Sequence, residues 1–149
     1  MKKKKGKIKM ALTVILVIVG VLAAGMGAAI VITAPGRAEV MNLTFADVDF
    51  SKLKDGIYTG EYKGKKDSTR DVNVQITVES GTIKDIKVVS GPLVGKQRNE
   101  VRGGLSIDDL FNNVTESKSL QVDVISGATL TSKSHLKALE DALEKAQAK

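Results

Sequence analysis

The sequence predicts an α+β fold: a small antiparallel sheet with a hairpin and two packing helices, preceded by one transmembrane helix. Three observations carry this expectation. Residues 10–36 contain no charged side chain and are dominated by Val, Ile, Leu, Ala and Gly. Val72, Val74, Ile76 and Val78 alternate with Asn73, Gln75 and Thr77, the period-two pattern of a strand with one buried face. Leu136, Leu139 and Leu143, joined by Ala142 and Ala146, recur at spacings of three and four, which places them on one side of an amphipathic helix.

The N-terminal element comes first. A spanning helix needs about 20 apolar residues, and the run 10–36 exceeds that. No polar face exists over these residues, which argues against a soluble core helix. Lys2, Lys3, Lys4, Lys5, Lys7 and Lys9 make residues 1–9 a basic tail, whereas the other flank begins with Arg37 alone. The positive-inside bias then keeps the N-terminus in the cytoplasm and sends the rest of the chain across the membrane. Gly36-Arg37-Ala38 is a small-x-small triplet of the kind a signal peptidase cuts, but signal-peptide apolar cores run only about 7–15 residues. Gly20 with Ala24, and Gly25 with Ala29, form two pairs at four-residue spacing, which permits close helix approach and is also ordinary in such helices. Residues 37–54 read as a stalk or linker, polar with Phe45, Val48, Phe50 and Leu53 as scattered apolar points.

Residues 55–149 form the folded domain. Asp55-Gly56 punctuates its entry, and Ile57–Tyr62 reads as a first strand. The alternating run from Val72 is the second. Glu79-Ser80-Gly81 is a turn, and 82–90 returns as the hairpin partner. Ile83 is out of phase with Ile86 and Val88, which predicts a β-bulge near Lys84-Asp85. Residues 91–104 lose all periodicity and are rich in glycine, so a loop is expected, with room for a short helix. Ser106 is placed to cap a helix carrying Leu110, Phe111 and Val114 on one face, with Asp108 and Asp109 in its favourable first turn. Leu120, Val122 and Val124 alternate again and predict a further strand. The last helix spans about 130–147, with His135 expected on its solvated face.

Composition narrows the chemistry. Of 23 Lys plus Arg against 17 Asp plus Glu, a net +6, the six tail lysines account for the whole excess, and residues 37–149 are formally neutral. That excludes a nucleic-acid-binding domain built on a basic surface. With no Cys there is no disulfide, thiol nucleophile, Fe–S cluster or thiolate zinc site. One His, no Trp and five aromatics leave no multi-His metal site and little stacking surface. Redox chemistry in this chain needs a cofactor to supply it. No paired catalytic residues accompany the motif below, so a stand-alone enzyme is not expected.

One junction carries a chemical signal: Asp123-Val-Ile-Ser126-Gly127-Ala128-Thr129-Leu-Thr131-Ser132. A strand ends, a turn of small residues follows, and a helix begins. Gly127 lets the backbone approach a ligand closely. The helix N-terminus behind it offers unpaired N–H groups and partial positive charge. Ser126, Thr129 and Thr131 crowd hydroxyls at the same place. Thr131 and Ser132 are both available to cap the helix, which leaves Thr129 free. Ser, Thr and Gly before a helix are also ordinary capping residues, so the physics alone leaves a phosphate site and a plain helix start both open.

The motif resembles the flavinylation signal of the FMN-binding domain family, Asp-x-x-(Ser/Thr)-Gly-Ala-Thr, at every fixed position. That family includes the C subunit of the sodium-pumping NADH:quinone oxidoreductase and the G subunit of the Rnf complex, together with many small membrane-anchored bacterial proteins. Asp55–Gly60 is similar to its opening strand, Glu79–Ile83 to its hairpin, and Thr131-Ser132 to the start of its last helix. The resemblance covers roughly residues 50–148. It implies that Thr129 accepts FMN as a phosphoester, attached by a magnesium-dependent FAD:protein FMN transferase. Asp123, Ser126, Gly127 and Ala128 would form the recognition turn, with Thr131 beside it. It further implies a membrane-anchored extracytoplasmic flavoprotein that carries electrons from a membrane dehydrogenase or quinone to an extracytoplasmic acceptor. The alternatives are a non-covalent flavin-binding or sensor module and a cofactor-free cell-envelope structural domain. The middle loop departs from the complex subunits, which carry a longer region there, and suggests a minimal single-domain member. Lys96, Arg98 and Arg102 in that loop either face solvent or meet the flavin phosphate or a redox partner. Tyr58 and Tyr62 share a strand face and either pack in the sheet or stack on the flavin ring.

Overall fold

The computed structural model describes residues 2–147 and divides into two compact units between Pro35 and Gly36. The first unit is helical, the start of α1 (Lys2–Met41). Within it Met10–Ala28 has a mean hydropathy of 2.5 and is long and apolar enough to cross a membrane. Its large apolar side chains, Leu12, Ile15, Leu16, Ile18 and Leu22 among them, are exposed around the helix, which suits hydrocarbon and not water. Pro35 lies inside α1, where it removes one backbone donor.

The second unit, Gly36–Lys149, is the α+β domain. β1 (Gly56–Tyr62), β2 (Val72–Glu79) and β3 (Thr82–Ser90) form an antiparallel sheet in the order β1-β2-β3. The β2–β3 turn is tight, with Ser80 and Gly81 at φ 53° and 68°. Positive φ at both central residues matches the strand twist in a two-residue hairpin. The predicted bulge is present: Thr77 pairs with Asp85 but Val78 with Ile83, which leaves Lys84 as the extra residue. A second shift leaves Val89 unpaired, between Asn73↔Ser90 and Val74↔Val88.

Two helices cover the sheet. α2 (Ile107–Ser117) starts at Ser106, whose Oγ accepts from Asp109 N–H at 3.2 Å while Asp109 Oδ2 accepts from Ser106 N–H at 2.7 Å. This reciprocal box closes the α2 N-terminus. α3 (Thr129–Gln147) lies against β1 and β2. Val72, Val74, Ile76 and Val78 from β2, and Leu136, Leu139 and Leu143 from α3, are essentially fully buried. Each such side chain contributes about 1.5–3 kcal/mol through burial. Close approach of α3 to β1 depends on Gly60, where an added Cβ would lie 2.1 Å from Ala138 O and 2.2 Å from Ala142 N. α3 also guards the open edge of β1. Asp141 Oδ2 accepts from Glu61 N–H at 2.8 Å, and Lys145 Nζ donates to Thr59 O at 2.9 Å. Edge groups occupied in this way are unavailable for pairing with another chain. Residues 37–54 supply Val40, Val48 and Leu53 to the core, and Glu140 Oε1 accepts from Ala46 N–H at 2.8 Å.

Three expectations need correction. Residues 121–125 form no strand. Leu120 and Ile125 are buried and Val122 and Val124 half-buried, so the alternation reports an extended segment lying on the core without a pairing partner. The loop 91–104 contains no helix. It folds as turns and then as a small hairpin of β4 (Glu100–Arg102) and β5 (Leu105–Ser106). His135 is not solvated but 1 % exposed, because α3 is covered on the side facing α2 as well as on the side facing the sheet.

Candidate functional site

The Asp123–Thr129 motif sits between the extended segment and the first turn of α3. Ala128 N–H donates to Ile125 O at 2.9 Å, closing a turn over Ile125–Ala128 with Gly127 at φ +76°. A positive φ at the third residue is what a type II turn requires and what glycine supplies without strain. The first helical bond runs from Ser132 N–H to Ala128 O, at 2.9 Å. Ala128 is therefore the N-cap, and α3 begins at Thr129, two residues before the expected cap at Thr131.

That start corrects the capping argument. Ser132 does not cap. Its buried Oγ accepts from Ile125 N–H at 3.1 Å and donates to Ala128 O at 3.0 Å, so it staples the extended segment and the turn to the helix. Ser132→Ala is expected to leave the buried Ile125 N–H without a partner and to cost about 1–3 kcal/mol. A shift in the denaturant midpoint checks this, and an unchanged midpoint contradicts it. Thr131 does not cap either. Its carbonyl accepts from Ser134 Oγ at 3.0 Å and lies 2.7 Å from His135 Nδ1, while its hydroxyl has no partner among the described residues.

The consequence is an open helix end. Ala128 has no side-chain acceptor, and the N–H groups of Thr129, Leu130 and Thr131 have no hydrogen-bond partner among the described residues. Nor does the half-buried Thr129 hydroxyl. Such donors, together with the helix dipole, favour an anion at this point. α2 in the same domain answers its own donors with Ser106 and Asp109; α3 leaves the role to something else. The residues present fit a phosphate on Thr129.

Of the other expected site residues, Ser126 and Gly127 are exposed at the turn and Ala128 is buried. Asp123 is exposed and makes no hydrogen bond to Ser126 or Thr129 among the described residues. It opens instead on a groove lined by Asn113, Glu116, Ser117 and Gln121. The loop cations separate. Arg98 pairs with Asp108, Nε to Oδ2 at 3.3 Å, and Lys96 is exposed. Arg102 reaches the motif turn: an added Cβ on Gly127 would lie 2.5 Å from Arg102 Nε. Tyr62 is buried in the core, and Tyr58 Oη donates to Asp55 O at 3.3 Å, so both tyrosines serve the sheet and its entry turn. Asp109 serves the α2 cap, and no group of three or more metal-binding side chains occurs among the described residues.

His135 is the residue that sequence reasoning missed. Its ring lies 6.5 Å from that of Phe111, Nδ1 donates to Thr131 O in the neutral tautomer that this contact favours, and buried Nε2 meets no acceptor in good hydrogen-bond geometry among the described residues, though the Pro92 carbonyl acts on the ring. Burial pushes its pKa below 6.5, against the opposing pull of the Thr131 and Pro92 carbonyls. A lowered folded-state pKa means that the unfolded chain binds the proton more readily. Stability is therefore complete above the unfolded value and declines as pH falls below it. Unfolding by urea from about pH 7 to about pH 5 is expected to show this decline. His135→Gln flattens it, and an equal slope in the variant contradicts the assignment.

A family model described as the FMN-binding domain matches residues 64–144, more than half of the chain and inclusive of the whole motif. Among solved structures, the CPE2226 protein from Clostridium perfringens aligns with 64% of this chain and 90% of its own, at 27% identity and a TM-score of 0.49. No curated protein matches.

Proposed function

The chain belongs to the FMN-binding domain family, and from that premise we propose that it is a membrane-anchored, extracytoplasmic flavoprotein electron carrier with FMN held on Thr129 through a phosphoester. The observation that carries the proposal is the open N-terminus of α3 directly behind Asp123–Thr129. Three backbone donors and one hydroxyl lie there, and no acceptor meets them among the described residues.

Attachment requires a FAD:protein FMN transferase. Thr129 Oγ1 bonds to the phosphorus that carries riboflavin, the anhydride bond of FAD breaks, AMP leaves with the bridging oxygen, and the hydroxyl proton is released. Gly127 keeps the turn free of a side chain so that the phosphate can approach, and the α3 N–H groups offset its charge. Asp123 and Ser126, both exposed, are available to the transferase. Once bound, the flavin supplies one- or two-electron transfer.

The apolar span of α1 supports anchoring in a lipid bilayer, and the tail lysines support a cytoplasmic N-terminus. In this reading Thr129 lies outside the cytoplasmic membrane. A membrane dehydrogenase or quinone is then the donor, and an extracytoplasmic protein or small molecule is the acceptor.

The full chain, produced together with an active transferase and run on a denaturing gel, is expected to give a band with flavin fluorescence. Flavin that is bound but washes away on denaturation supports the non-covalent module instead. A colourless band beside a modified control substrate, from protein that also holds no flavin before denaturation, contradicts any flavin role.

A further inference from the structure

We propose that Arg102 is the positioning residue for the phosphate at Thr129, the cationic wall facing the α3 N-terminus; the inference rests on the phosphoester reading above. Among the loop cations the geometry selects this one. Its Nε, Cδ and Cγ would lie 2.5, 2.8 and 3.3 Å from a Cβ at Gly127, so the side chain lies over the bare backbone of the motif turn, two residues from the acceptor hydroxyl. Any other residue at 127 would displace it. Glycine there thus meets two needs, the positive φ of the turn and the space for an arginine.

The local backbone aims that arginine. Arg102 ends β4, pairs with Leu105 across the hairpin, and is followed by Gly103 and Gly104 at φ 62° and 80°. These are the conformations of a tight two-residue connection. The hairpin is closed further by Glu100 Oε1, which accepts from Gly104 N–H at 2.8 Å. β5 leads directly into Ser106, the closed cap of α2. The arginine therefore projects from a short element fixed at both ends.

Its charge is unspent. Arg102 makes no ion pair and no hydrogen bond among the described residues, whereas its neighbour Arg98 is engaged by Asp108 at 3.3 Å. A guanidinium presents parallel donors that match two phosphate oxygens. A phosphodiester on Thr129 has two such oxygens and one negative charge. The α3 N–H groups face it from the helix side and Arg102 from the hairpin side. The same cation serves the transfer step, in which the phosphorus is under attack while still part of the FAD anhydride.

The test uses the full chain in detergent, produced with the transferase, as wild type, Arg102→Gln and Arg102→Lys. Arg102→Gln is expected to incorporate FMN about tenfold more slowly, and Arg102→Lys to recover most of the rate. In protein loaded to equal extent, the phosphorus NMR resonance of the phosphoester is expected to move in Arg102→Gln while the thermal midpoint stays that of the wild type. A merely structural role would move the midpoint and not the resonance. If Arg102→Gln loads at the wild-type rate with an unmoved resonance, the assignment of Arg102 is overturned and the phosphoester reading stands. If the wild type itself takes up no FMN from an active transferase, both are overturned.

Discussion

Thr129→Ala is expected to yield a folded protein that carries no covalent flavin whatever the level of transferase. The effect is total because no neighbouring hydroxyl occupies the same place. Ser126 lies in the turn, before the positive-φ residue Gly127, and its side chain leaves the backbone ahead of the helix. Thr131 is two residues on, and successive helix positions are turned by about 100°, which directs its hydroxyl away from that of Thr129. Ser132 is buried and held by Ile125 and Ala128. Among the described residues the Thr129 hydroxyl makes no hydrogen bond that the substitution would break, so stability is expected to change by no more than about 0.5 kcal/mol. Loss of flavin without loss of folding separates a modification site from a structural one. Thr129→Ser, which keeps a hydroxyl at the same position, is expected to retain part of the label. Fluorescent label on a denatured Thr129→Ala protein contradicts the assignment.

Gly60→Ala is expected to have the largest effect on stability. The added Cβ would come within 2.1 Å of Ala138 O and 2.2 Å of Ala142 N. Both are backbone atoms of α3 with no rotamer to yield, so the helix must lift from β1. That separates Leu139 and Leu143 from the sheet and strains the bonds of Asp141 and Lys145 to the β1 edge. Overpacking of this kind costs about 3 kcal/mol, a large share of the roughly 5–15 kcal/mol that holds a domain folded. Gly95→Ala makes a useful control. Nothing lies within 4 Å of its added Cβ, and its φ is +67°, so it carries only the left-handed backbone penalty of about 1 kcal/mol. Denaturant midpoints of the two variants should separate clearly, and a Gly60→Ala midpoint at the wild-type value contradicts the close-approach account.

The sequence revealed those features in which local chemistry and tertiary context agree. The hairpin and its bulge were legible because burial of one sheet face imposes a period of two, and Ile83 breaks that period where Lys84 is inserted. The α2 start was legible because Ser106 and Asp109 satisfy each other within four residues. The same logic failed at α3. Thr131 and Ser132 have the composition of caps, but a bond between Ile125 and Ala128 sets the helix start upstream, and Ser132 turns inward to hold it. The alternation at Leu120–Val124 suggests a strand because periodicity reports a buried face and says nothing of a ladder partner. His135 was misplaced because a single apolar stripe does not show that α3 is covered on a second side.

At the site itself, the motif located the turn that leads into α3, and the family match spans it. Its openness was not legible. That property depends on Ala128 falling at the cap position and on no other side chain arriving to fill the role. Arg102 was likewise indistinguishable from Lys96 and Arg98, since only the fold of the β4–β5 hairpin brings one of the three onto Gly127.

The most direct measurement of the central claim is the mass of the full chain after production with an active transferase, followed by mapping of the modified peptide. The account predicts an increase equal to one FMN less one water, confined to the peptide that contains Thr129. An unmodified mass, or the same increase on a peptide that lacks Thr129, contradicts it.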